Sequence, residues 1–327
     1  MRVLVTGASG MLGRGVADAL DRRGETVTVL QRRSLPGAPF REVRGDLGDP
    51  DVVGRATAGQ DAVIHLAAKV NVVGAWADYV RTNIDGTQNL LQAAQEAGVG
   101  AFVQISSPSV AHAGRSLVGV GAGPADPRHA RGNYARSKAA AELLALAADR
   151  PGFAVTAIRP HLVWGPGDTQ LIGRIQDRAR SGRLPLLGPA TALMDTTYVT
   201  NAVDAIVAAL DRIETAHGRA LVVTNGEPRP IGELMADICT AGGVPVPTLR
   251  IPPSLAWTAG AAVEGAMWAA ARLPGVPEIT EPPLTRFLAE QLSTAHWFDQ
   301  RETRQVLDWR PRVSLAEGFE RLAAAAS

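Results

Sequence analysis

A tyrosine and a lysine stand four residues apart in the segment Tyr134-Ala135-Arg136-Ser137-Lys138. Residues at this spacing lie on one face of a helix, so the phenol and the ammonium group would be neighbours. The unperturbed pKa of a phenol is about 10, but a fixed cation beside it stabilises the phenolate and lowers that pKa. We therefore expect Tyr134, assisted by Lys138, to exchange a proton with an alcohol or a ketone.

Three serines, Ser106, Ser107 and Ser109, follow the predicted strand Ala101–Ile105. Parallel α/β sheets bind ligands at the carboxyl ends of their strands, and a hydroxyl placed there can donate to a developing oxyanion. The residue types alone do not decide which serine does so. Asn83 is a candidate to hold a water or backbone contact that relays the proton; the alternative is an ordinary asparagine on a helix face.

Glycines are concentrated where the first predicted strand turns into the first predicted helix, in Thr6-Gly7-Ala8-Ser9-Gly10-Met11-Leu12-Gly13. Glycine lets the backbone turn tightly and approach a pyrophosphate, and the helix that follows offers unpaired N–H groups and a positive dipole end to the anion. We therefore expect a dinucleotide to bind here. The predicted contacts are Gly7, Ser9, Gly10, Met11, Leu12 and Gly13.

The second predicted strand ends in Leu30-Gln31-Arg32-Arg33. An acid in this place would bind a ribose 2′-hydroxyl and repel a 2′-phosphate, whereas a guanidinium binds that phosphate bidentately. Arg32 and Arg33 therefore favour NADP(H). NAD(H) is the alternative, because two exposed arginines are also found in an ordinary solvated turn.

Further cofactor contacts are predicted nearby. Asp46, followed by Leu47, either contacts the adenine side of the cofactor or is the N-cap of a helix. After the predicted strand Ala62–Leu66, small residues let the cofactor lie against the backbone. The predicted contacts there are Leu66, Ala67 and Ala68, whereas His65 is expected to be a packed histidine rather than a catalyst.

Short apolar runs alternate with amphipathic segments over residues 1–160, which predicts a parallel, doubly wound sheet of the Rossmann type in an α/β fold. The predicted strands are Arg2–Thr6, Thr26–Leu30, Ala62–Leu66, Ala101–Ile105 and Ala154–Ile158, and the predicted helices are Met11–Arg23, Trp76–Ala97 and Tyr134–Ala148. We expect a dinucleotide-binding domain over residues 1–165, to which 195–226 returns. Residues 166–327 would form mainly a smaller, proline-rich substrate lobe.

Composition excludes several classes of protein. The 327 residues carry 33 basic and 32 acidic side chains and a net charge of +1, which argues against a nucleic-acid partner. The single cysteine, Cys239, cannot form an intrachain disulfide, so we expect a cytoplasmic protein. The apolar stretch 254–273 is built mainly from Ala and Gly and contains Glu264, so it is not predicted to span a membrane. No metal site is predicted, since His161 lacks a second ligand at metal-binding spacing.

These motifs together resemble the extended short-chain dehydrogenase/reductase superfamily across nearly the whole chain. The resemblance rests on Thr6–Gly13, Ser107, Tyr134 with Lys138, and Arg159–Gly167. In that superfamily the catalytic serine lies three residues before a valine, which selects Ser107 before Val110. The resemblance implies that Lys138 also holds the nicotinamide ribose and that Pro160, His161 and Leu162 lie beside the nicotinamide. It also implies a homodimer, formed through helices 76–97 and 134–149.

Within the superfamily, Tyr198–Ala202 and Trp297–Asp299 resemble the 3β-hydroxysteroid dehydrogenase-like branch, which includes sterol dehydrogenases and 2-alkyl-3-oxoalkanoate reductases. Thr200 replaces an aspartate that many nucleotide-sugar members carry. An apolar substrate agrees with the bulky side chains of the lobe, Leu255, Trp257, Val263, Met267, Trp268 and Leu273. The predicted substrate contacts are Ser107, Ser109, Tyr134, His161 and Trp164.

The sequence thus predicts an NADP(H)-dependent oxidoreductase that interconverts a secondary alcohol and a ketone, with Tyr134 as the proton donor or acceptor. The predicted substrate is hydrophobic, either steroid-like or a 2-alkyl-3-keto acid. One alternative is a nucleotide-sugar epimerase or dehydratase, which keeps its cofactor bound throughout the cycle. A second alternative is a non-catalytic protein that senses the NADPH/NADP ratio.

Overall fold

The computed structural model describes residues 1–70, 74–112, 114–270 and 286–326, and it leaves out the side chains of 268–270, 287–288 and 326. Two residues that were expected to supply apolar bulk are affected. Leu273 lies outside the described residues, and the side chain of Trp268 is not described.

The strands vary in length from seven residues to two. They are β1 (Arg2–Thr6), β2 (Thr26–Gln31), β3 (Arg41–Arg44), β4 (Ala62–His65), β5 (Ala101–Ile105), β6 (Leu117–Val120), β7 (Ala154–Pro160), β8 (Val163–Trp164), β9 (Leu186–Leu187), β10 (Leu193–Met194), β11 (Thr197–Tyr198), β12 (Ala220–Val223), β13 (Arg229–Pro230), β14 (Arg250–Ile251) and β15 (His296–Phe298).

The α-helices alternate with these strands through the first half of the chain. They are α1 (Met11–Arg22), α2 (Pro50–Thr57), α3 (Trp76–Tyr79), α4 (Gly86–Glu96), α5 (Gly132–Ala147), α6 (Ile172–Arg180), α7 (Val199–Asp211), α8 (Ile213–Ala216), α9 (Ile231–Ala241), α10 (Pro253–Ala270), α11 (Arg286–Ser293), α12 (Arg301–Leu307) and α13 (Leu315–Ala326). A π-helical turn spans Val80–Asp85, and a 3₁₀ turn spans Pro108–Ala111.

Seven parallel strands form the central sheet in the order β12-β7-β5-β4-β1-β2-β3. This arrangement confirms the predicted parallel, doubly wound α/β fold. The strand β3 was not predicted, because its sequence Arg41-Glu42-Val43-Arg44 is mostly charged and lies at the edge of the sheet, where only part of each side chain is covered.

Apolar side chains cover both faces of the sheet. One face packs against α1 and α7, through Val16, Leu20 and Ile206 among others, and the opposite face packs against α2 and α4, through Val53 and Leu90. Helices on both faces explain why the strands carry continuous apolar runs rather than an alternating pattern. The strand β12 pairs with β7, and α7 packs against α1, so the segment 199–223 belongs to the same layers as the N-terminal part.

The helix predicted over Trp76–Ala97 is divided into α3, the π-helical turn and α4. Apolar spacing of three and four residues cannot distinguish a π turn from the helices on either side. The helices α6, α9 and α13 pack into a second layer with its own core, to which Trp164, Met194, Ile231 and Leu234 contribute. None of the helices in the described part of the chain has the length and apolarity needed to cross a membrane.

Candidate active site

The turn between β1 and α1 requires glycine for steric reasons. Gly7 has a φ of +78°, and a Cβ on this residue would lie 2.7 Å from the backbone nitrogen of Ala67. A Cβ on Gly13 would collide with the carbonyl oxygen of Gly7. The turn is closed by a hydrogen bond of 3.1 Å from the Gly10 N–H to the Gly7 carbonyl oxygen. Larger residues would therefore open the turn and separate β4 from it.

The start of α1 is suited to an anion. Gly10 precedes the helix and has no side chain that could cap its first N–H groups, which leaves them and the positive end of the helix dipole available. Gly7 and the segment Ser9–Gly13 line a cavity of about 800 Å³. The close backbone approach and the uncapped helix fit the pyrophosphate of a dinucleotide, so these residues would hold such a cofactor.

The same cavity brings together most of the predicted site residues. In addition to the glycine-rich turn, its lining includes Leu66, Ala68, Ser107, Ser109, Tyr134, Lys138, Pro160, His161, Leu162 and Trp164. The cavity lies at the carboxyl ends of β1, β4, β5 and β7. The predicted residues Arg32, Arg33, Asp46, Leu47, Ala67 and Asn83 are not part of its lining.

The Ser107 hydroxyl lies close enough to the Tyr134 phenol to favour its ionised form and so to oppose a rise of its pKa. Ser107 is the residue before the 3₁₀ turn, and its oxygen accepts a hydrogen bond of 3.0 Å from the Ser109 hydroxyl. Ser106 is also buried, but its hydroxyl has no partner among the described residues. Of the three candidate serines, Ser107 is therefore the one that influences the pKa of Tyr134.

Lys138 lies one turn after Tyr134 in α5 and is almost fully buried, with 3% of its surface exposed. Its ammonium group donates a hydrogen bond to the carbonyl oxygen of Ile105. Burial lowers the pKa of Lys138 to about 8, while Glu142 opposes this shift. The ammonium is thus held at the end of β5, where the 3₁₀ turn that carries Ser107 begins.

The expected lowering of the Tyr134 pKa by Lys138 is not found. Burial raises the pKa of Tyr134, and the Ser107 hydroxyl is the opposing influence. The physical reason is that burial disfavours the charged phenolate and is the largest influence on this group. The phenol of Tyr134 is therefore protonated at neutral pH.

Asn83 is buried in the π-helical turn, and both ends of its side chain are occupied. Its carbonyl accepts from the Lys69 N–H at 2.7 Å, and its amide donates to the Lys69 carbonyl at 3.1 Å and to the Ser137 hydroxyl at 2.9 Å. The structure therefore places Asn83 on backbone groups behind the cavity. It connects the segment after β4 with α5.

His65 links the same region to the glycine-rich turn. Its Nδ1 lies 2.7 Å from the Thr6 hydroxyl, and its Nε2 lies 3.1 Å from the Thr87 hydroxyl. The Thr87 hydroxyl donates to the Asn83 carbonyl oxygen, so the proton of His65 is on Nε2. Burial, with a smaller contribution from Lys138, lowers the pKa of His65 to about 3, so the ring is neutral. His65 lies in the packed interior of the sheet.

The predicted contacts beyond the cavity lie in different environments. Arg32 and Arg33 are exposed, and neither forms an ion pair with a described residue.

The side chain of Leu47 is buried in the core between the sheet and α2. The helix α2 is capped by Asp49, whose side chain accepts from the N–H groups of Asp51 and Val52. The interpretation of Asp46 as the N-cap was therefore wrong, because Asp46 instead accepts from the Gly48 N–H.

The wall opposite the glycine-rich turn is formed by residues of the second layer. Trp164 stacks on Phe319 with a centroid distance of 4.5 Å and donates to the Thr196 hydroxyl at 2.9 Å. The Nδ1–H group of His161 donates to the carbonyl oxygen of Asp195, and burial lowers the pKa of His161 to about 4. This end of the cavity is mainly apolar, since Leu171, Ile175, Ile231, Leu234, Met235 and Ile238 also line it.

Several cavity residues were not recognised in the sequence. Arg131 precedes α5, His112 ends the 3₁₀ turn, and His296 belongs to β15. Each is a single polar residue without a motif around it, and contacts between distant segments bring them together. Among the described residues, no group of three or more His, Cys, Asp or Glu side chains is arranged to hold a metal ion.

Comparison with protein families identifies the architecture. The model described as "NAD dependent epimerase/dehydratase family" matches residues 3–224, from β1 through β12. The chain belongs to the NAD dependent epimerase/dehydratase family. The match covers the whole central sheet together with the glycine-rich turn, Ser107, Tyr134 and Lys138.

Members of this family resemble the chain over nearly its full length. It is 39% identical over 335 residues to a 2-alkyl-3-oxoalkanoate reductase of Stenotrophomonas maltophilia, with 100% of both chains covered. It is 30% identical to a 3-beta-hydroxysteroid dehydrogenase of Mycolicibacterium neoaurum, over 95% of this chain and 87% of that protein. These similarities confirm the predicted resemblance to the 3β-hydroxysteroid dehydrogenase-like branch, and the chain is an oxidoreductase of the short-chain dehydrogenase/reductase type.

A solved structure of the family shows the same fold. MoeE5 in complex with UDP-glucose and NAD has a TM-score of 0.74 and 27% sequence identity, covering 99% of this chain and 98% of that one. Its bound cofactor agrees with the family description. The chain therefore belongs to an NAD(P)-dependent family.

Proposed function

We propose that this chain is an NADP(H)-dependent oxidoreductase that interconverts a secondary alcohol and a ketone on a hydrophobic substrate. The observation that carries the proposal is that Ser107, Tyr134 and the buried Lys138 line one cavity, which also contains the uncapped start of α1. This places a proton donor, an oxyanion donor and a dinucleotide site within reach of one substrate.

In the direction of ketone reduction, Tyr134 and Ser107 act on the same oxygen. The Ser107 hydroxyl donates to the ketone oxygen and stabilises the negative charge that develops on it. Tyr134 donates its proton to this oxygen. Because its pKa is raised, the phenol is still protonated when the substrate binds. The bound nicotinamide supplies or accepts the hydride. In the direction of alcohol oxidation, Tyr134 accepts the proton instead.

Lys138 contributes through its position and its charge. Its ammonium group lies at the end of β5, bound to the Ile105 carbonyl oxygen, and its neighbour in the sequence, Ser137, is held by Asn83. A cation in this position stabilises the phenolate that remains after Tyr134 has donated its proton. The lysine would also donate to the ribose of the cofactor.

Preference for NADP(H) is proposed from Arg32 and Arg33. Both are exposed at the end of β2, where the glycine-rich turn brings the adenosine ribose in this type of fold. Glu42, on the neighbouring strand β3, accepts hydrogen bonds from Gln31, Ser34 and the Leu35 N–H rather than from the two arginines. Two guanidinium groups can therefore bind a 2′-phosphate without a competing ion pair.

A hydrophobic substrate is supported by the apolar wall of the cavity. Trp164, Phe319, Leu234 and Met235 line the end formed by the second layer. Burying an alkyl chain against them stabilises the complex by about 0.8 kcal/mol for each CH₂ group. The relatives named as 2-alkyl-3-oxoalkanoate reductase and 3-beta-hydroxysteroid dehydrogenase support the same substrate class.

A homodimer is also part of the proposal. Trp76 of α3 and Leu143 of α5 are exposed apolar side chains, and the Arg136 guanidinium stacks over the Trp76 ring at 4.8 Å. Pairing of α4 and α5 with a second copy would cover this surface. The molar mass in solution, measured by light scattering, tests this part of the proposal, and a monomer would refute it.

The proposed activity is tested by following nicotinamide absorbance with purified protein. NADPH and NADH are compared in parallel against long-chain 3-oxo acids, 3-ketosteroids, simple aromatic ketones and UDP-sugars. We expect net NADPH consumption with a hydrophobic ketone. Conversion of a UDP-sugar without net NADPH consumption would instead support an epimerase, and binding of NADPH without turnover of any substrate would support a sensor.

A further inference from the structure

Among the described residues, three cationic side chains line the cavity, and they differ in what they bind. The Lys138 ammonium donates to the Ile105 carbonyl oxygen, and Arg174 donates to the Gln170 side-chain oxygen at 2.9 Å. Arg131 is different, because its guanidinium donates no hydrogen bond to a described residue. Its nearest acid is Glu290, and the distance from Nε to the carboxylate is 3.8 Å. This distance allows electrostatic attraction but exceeds that of a hydrogen bond.

Arg131 lies close to the reacting groups. It is the residue immediately before α5, and Tyr134 follows three positions later. Both residues line the same cavity, although Arg131 has an extended backbone and 55% of its side chain is exposed. The guanidinium lies against the backbone of Gly114, where an added Cβ would come within 3.0 Å of its Nε and Nη2 atoms. It thus lies beside the loop that follows the 3₁₀ turn next to Ser107.

The neighbouring side chain is a buried histidine without partners. His112 is 1% exposed and lines the cavity, and neither of its ring nitrogens has a hydrogen-bond partner among the described residues. The backbone of Arg115 approaches the ring without meeting hydrogen-bond geometry, and the ring feels the charges of Glu290 and Arg131. Buried polar groups in native proteins are almost always satisfied. We therefore expect a polar group of a bound ligand in the part of the cavity beside His112 and Arg131.

We propose that Arg131 binds the carboxylate of the substrate and that the enzyme acts on 3-oxo acids rather than on neutral ketones. This inference rests on the proposed function, because it assigns the second polar group of the same substrate. In a 3-oxo acid only one carbon separates the carboxylate from the ketone carbon. The carboxylate would therefore lie within one helical turn of the oxygen that faces Tyr134 and Ser107.

The charges around Arg131 and His112 favour an anionic ligand. Burial lowers the pKa of His112, so the ring is neutral and the positive charge belongs to Arg131. Glu290 is the nearest acid, and it also accepts a hydrogen bond of 3.3 Å from the Trp257 indole nitrogen. A guanidinium can bind a carboxylate through two parallel hydrogen bonds, which the contact with Glu290 does not provide. The substrate would thus make the stronger contact.

The experiment measures oxidation with NADP⁺ of two substrates that differ only in charge. They are a long-chain 2-alkyl-3-hydroxy acid and its methyl ester, whose chain and hydroxyl group are the same. The variants are Arg131→Gln, Arg131→Lys and, as a matched control, Arg128→Gln, which changes an exposed arginine of the same loop outside the cavity. NADPH affinity, measured by fluorescence, shows that each variant is folded.

The wild type should prefer the acid, and Arg131→Gln should raise the KM for the acid about tenfold, the scale of one hydrogen bond to a charged group. The KM for the ester should change less than about twofold, and Arg131→Lys should recover part of the loss because the charge is kept. Arg128→Gln should leave both substrates unchanged.

An equal effect of Arg131→Gln on acid and ester, or no effect on the acid, would overturn the assignment while leaving the oxidoreductase proposal intact. A loss of the acid preference in Arg128→Gln to the same extent would also overturn it, because the effect would then reflect the general charge of the loop. If the wild type oxidised neither substrate nor any neutral secondary alcohol, the proposed function itself would fail, and the assignment with it.

Discussion

The side-chain amide of Asn83 donates a hydrogen bond of 2.9 Å to the hydroxyl of Ser137, which stands between Tyr134 and Lys138 in α5. The Ser137 hydroxyl in turn donates to the carbonyl oxygen of Tyr134 at 2.8 Å. Asn83 belongs to a π-helical turn, a feature that is common at functional sites because one extra residue alters the direction of the side chains. The π turn thus fixes α5, and with it both proposed catalytic groups, relative to the segment that follows β4.

Replacement of Asn83 by Leu should therefore reduce catalysis more than the same change elsewhere on the helix. The variant loses the contacts to Ser137 and Lys69, so α5 can shift relative to the cofactor, and we expect kcat to fall at least about tenfold. The matched control is Asn89→Leu, which removes a single hydrogen bond to the Leu47 carbonyl oxygen. Steady-state kinetics of both variants, with thermal unfolding measured alongside, checks this prediction. Equal losses of kcat would show that Asn83 has no special role in positioning.

Tyr134→Phe should lower kcat at least about 100-fold, the scale expected for loss of a general acid. Cofactor affinity should be nearly unchanged, because the phenol hydroxyl forms no hydrogen bond with a described residue of the glycine-rich turn. The control is Tyr198→Phe, which removes the same hydroxyl from a buried tyrosine outside the cavity lining. Turnover and NADPH binding are measured for both variants. Retained activity in Tyr134→Phe would remove this residue from the mechanism.

The double variant Arg32→Ala, Arg33→Ala should raise the KM for NADPH at least about tenfold, because hydrogen bonds from two charged groups to the 2′-phosphate are lost. The KM for NADH should change less than about twofold, since that cofactor has no 2′-phosphate. Arg55→Ala, which removes an exposed arginine of α2, serves as the control. If NADPH and NADH were weakened alike, the 2′-phosphate would have to be bound by other residues.

Acidification should destabilise the fold below the ordinary histidine pKa of 6.5. Burial lowers the pKa values of His65, His161 and His296 to about 3, 4 and 3, so the unfolded chain takes up protons below pH 6.5 that the folded chain does not. Each such group costs about 1.4 kcal/mol of unfolding free energy per pH unit. Asp195, whose pKa is raised to about 6 by burial, acts in the opposite direction between about pH 6 and 3.8, as does Asp204, whose pKa burial also raises. The pKa of His112 is lowered by burial as well, so the histidines outnumber these two carboxyl groups.

Urea denaturation at a series of pH values between about 7 and 5 checks this prediction. The midpoint should decrease as the pH falls through 6.5, and His129→Gln, which replaces an exposed histidine, should show the same decrease. A midpoint that stays constant or rises in this range would show that the three rings are not held neutral in the folded chain.

Much of the fold follows from local sequence patterns. The run from β1 through Gly7 and Gly13 into α1 could be recognised because glycine is sterically required there. The pairing of Tyr134 with Lys138 could be recognised because a helix brings residues four apart onto one face. These features depend on residues that are close together in the sequence, so they can be predicted from the sequence alone.

Other parts of the site depend on contacts between distant segments. Arg131, His112 and His296 meet in the cavity from α5, the 3₁₀ turn and β15, and no local pattern indicates that they are neighbours. The direction of the Tyr134 pKa shift was predicted wrongly for a similar reason. The spacing places Tyr134 and Lys138 on one face, but it does not show how deeply the phenol is buried, and burial raises its pKa.

The proposed oxidoreduction is tested most directly by following the transfer of the hydride. The wild-type protein is incubated with a hydrophobic 3-oxo acid and NADPH that carries two deuterium atoms at C4 of the nicotinamide, one on each face, and the product is analysed by mass spectrometry and NMR. We expect a 3-hydroxy acid with one deuterium on the carbinol carbon and an equal amount of NADP⁺. If the deuterium remained entirely on the nicotinamide while any substrate was converted, the proposed net oxidoreduction would be wrong.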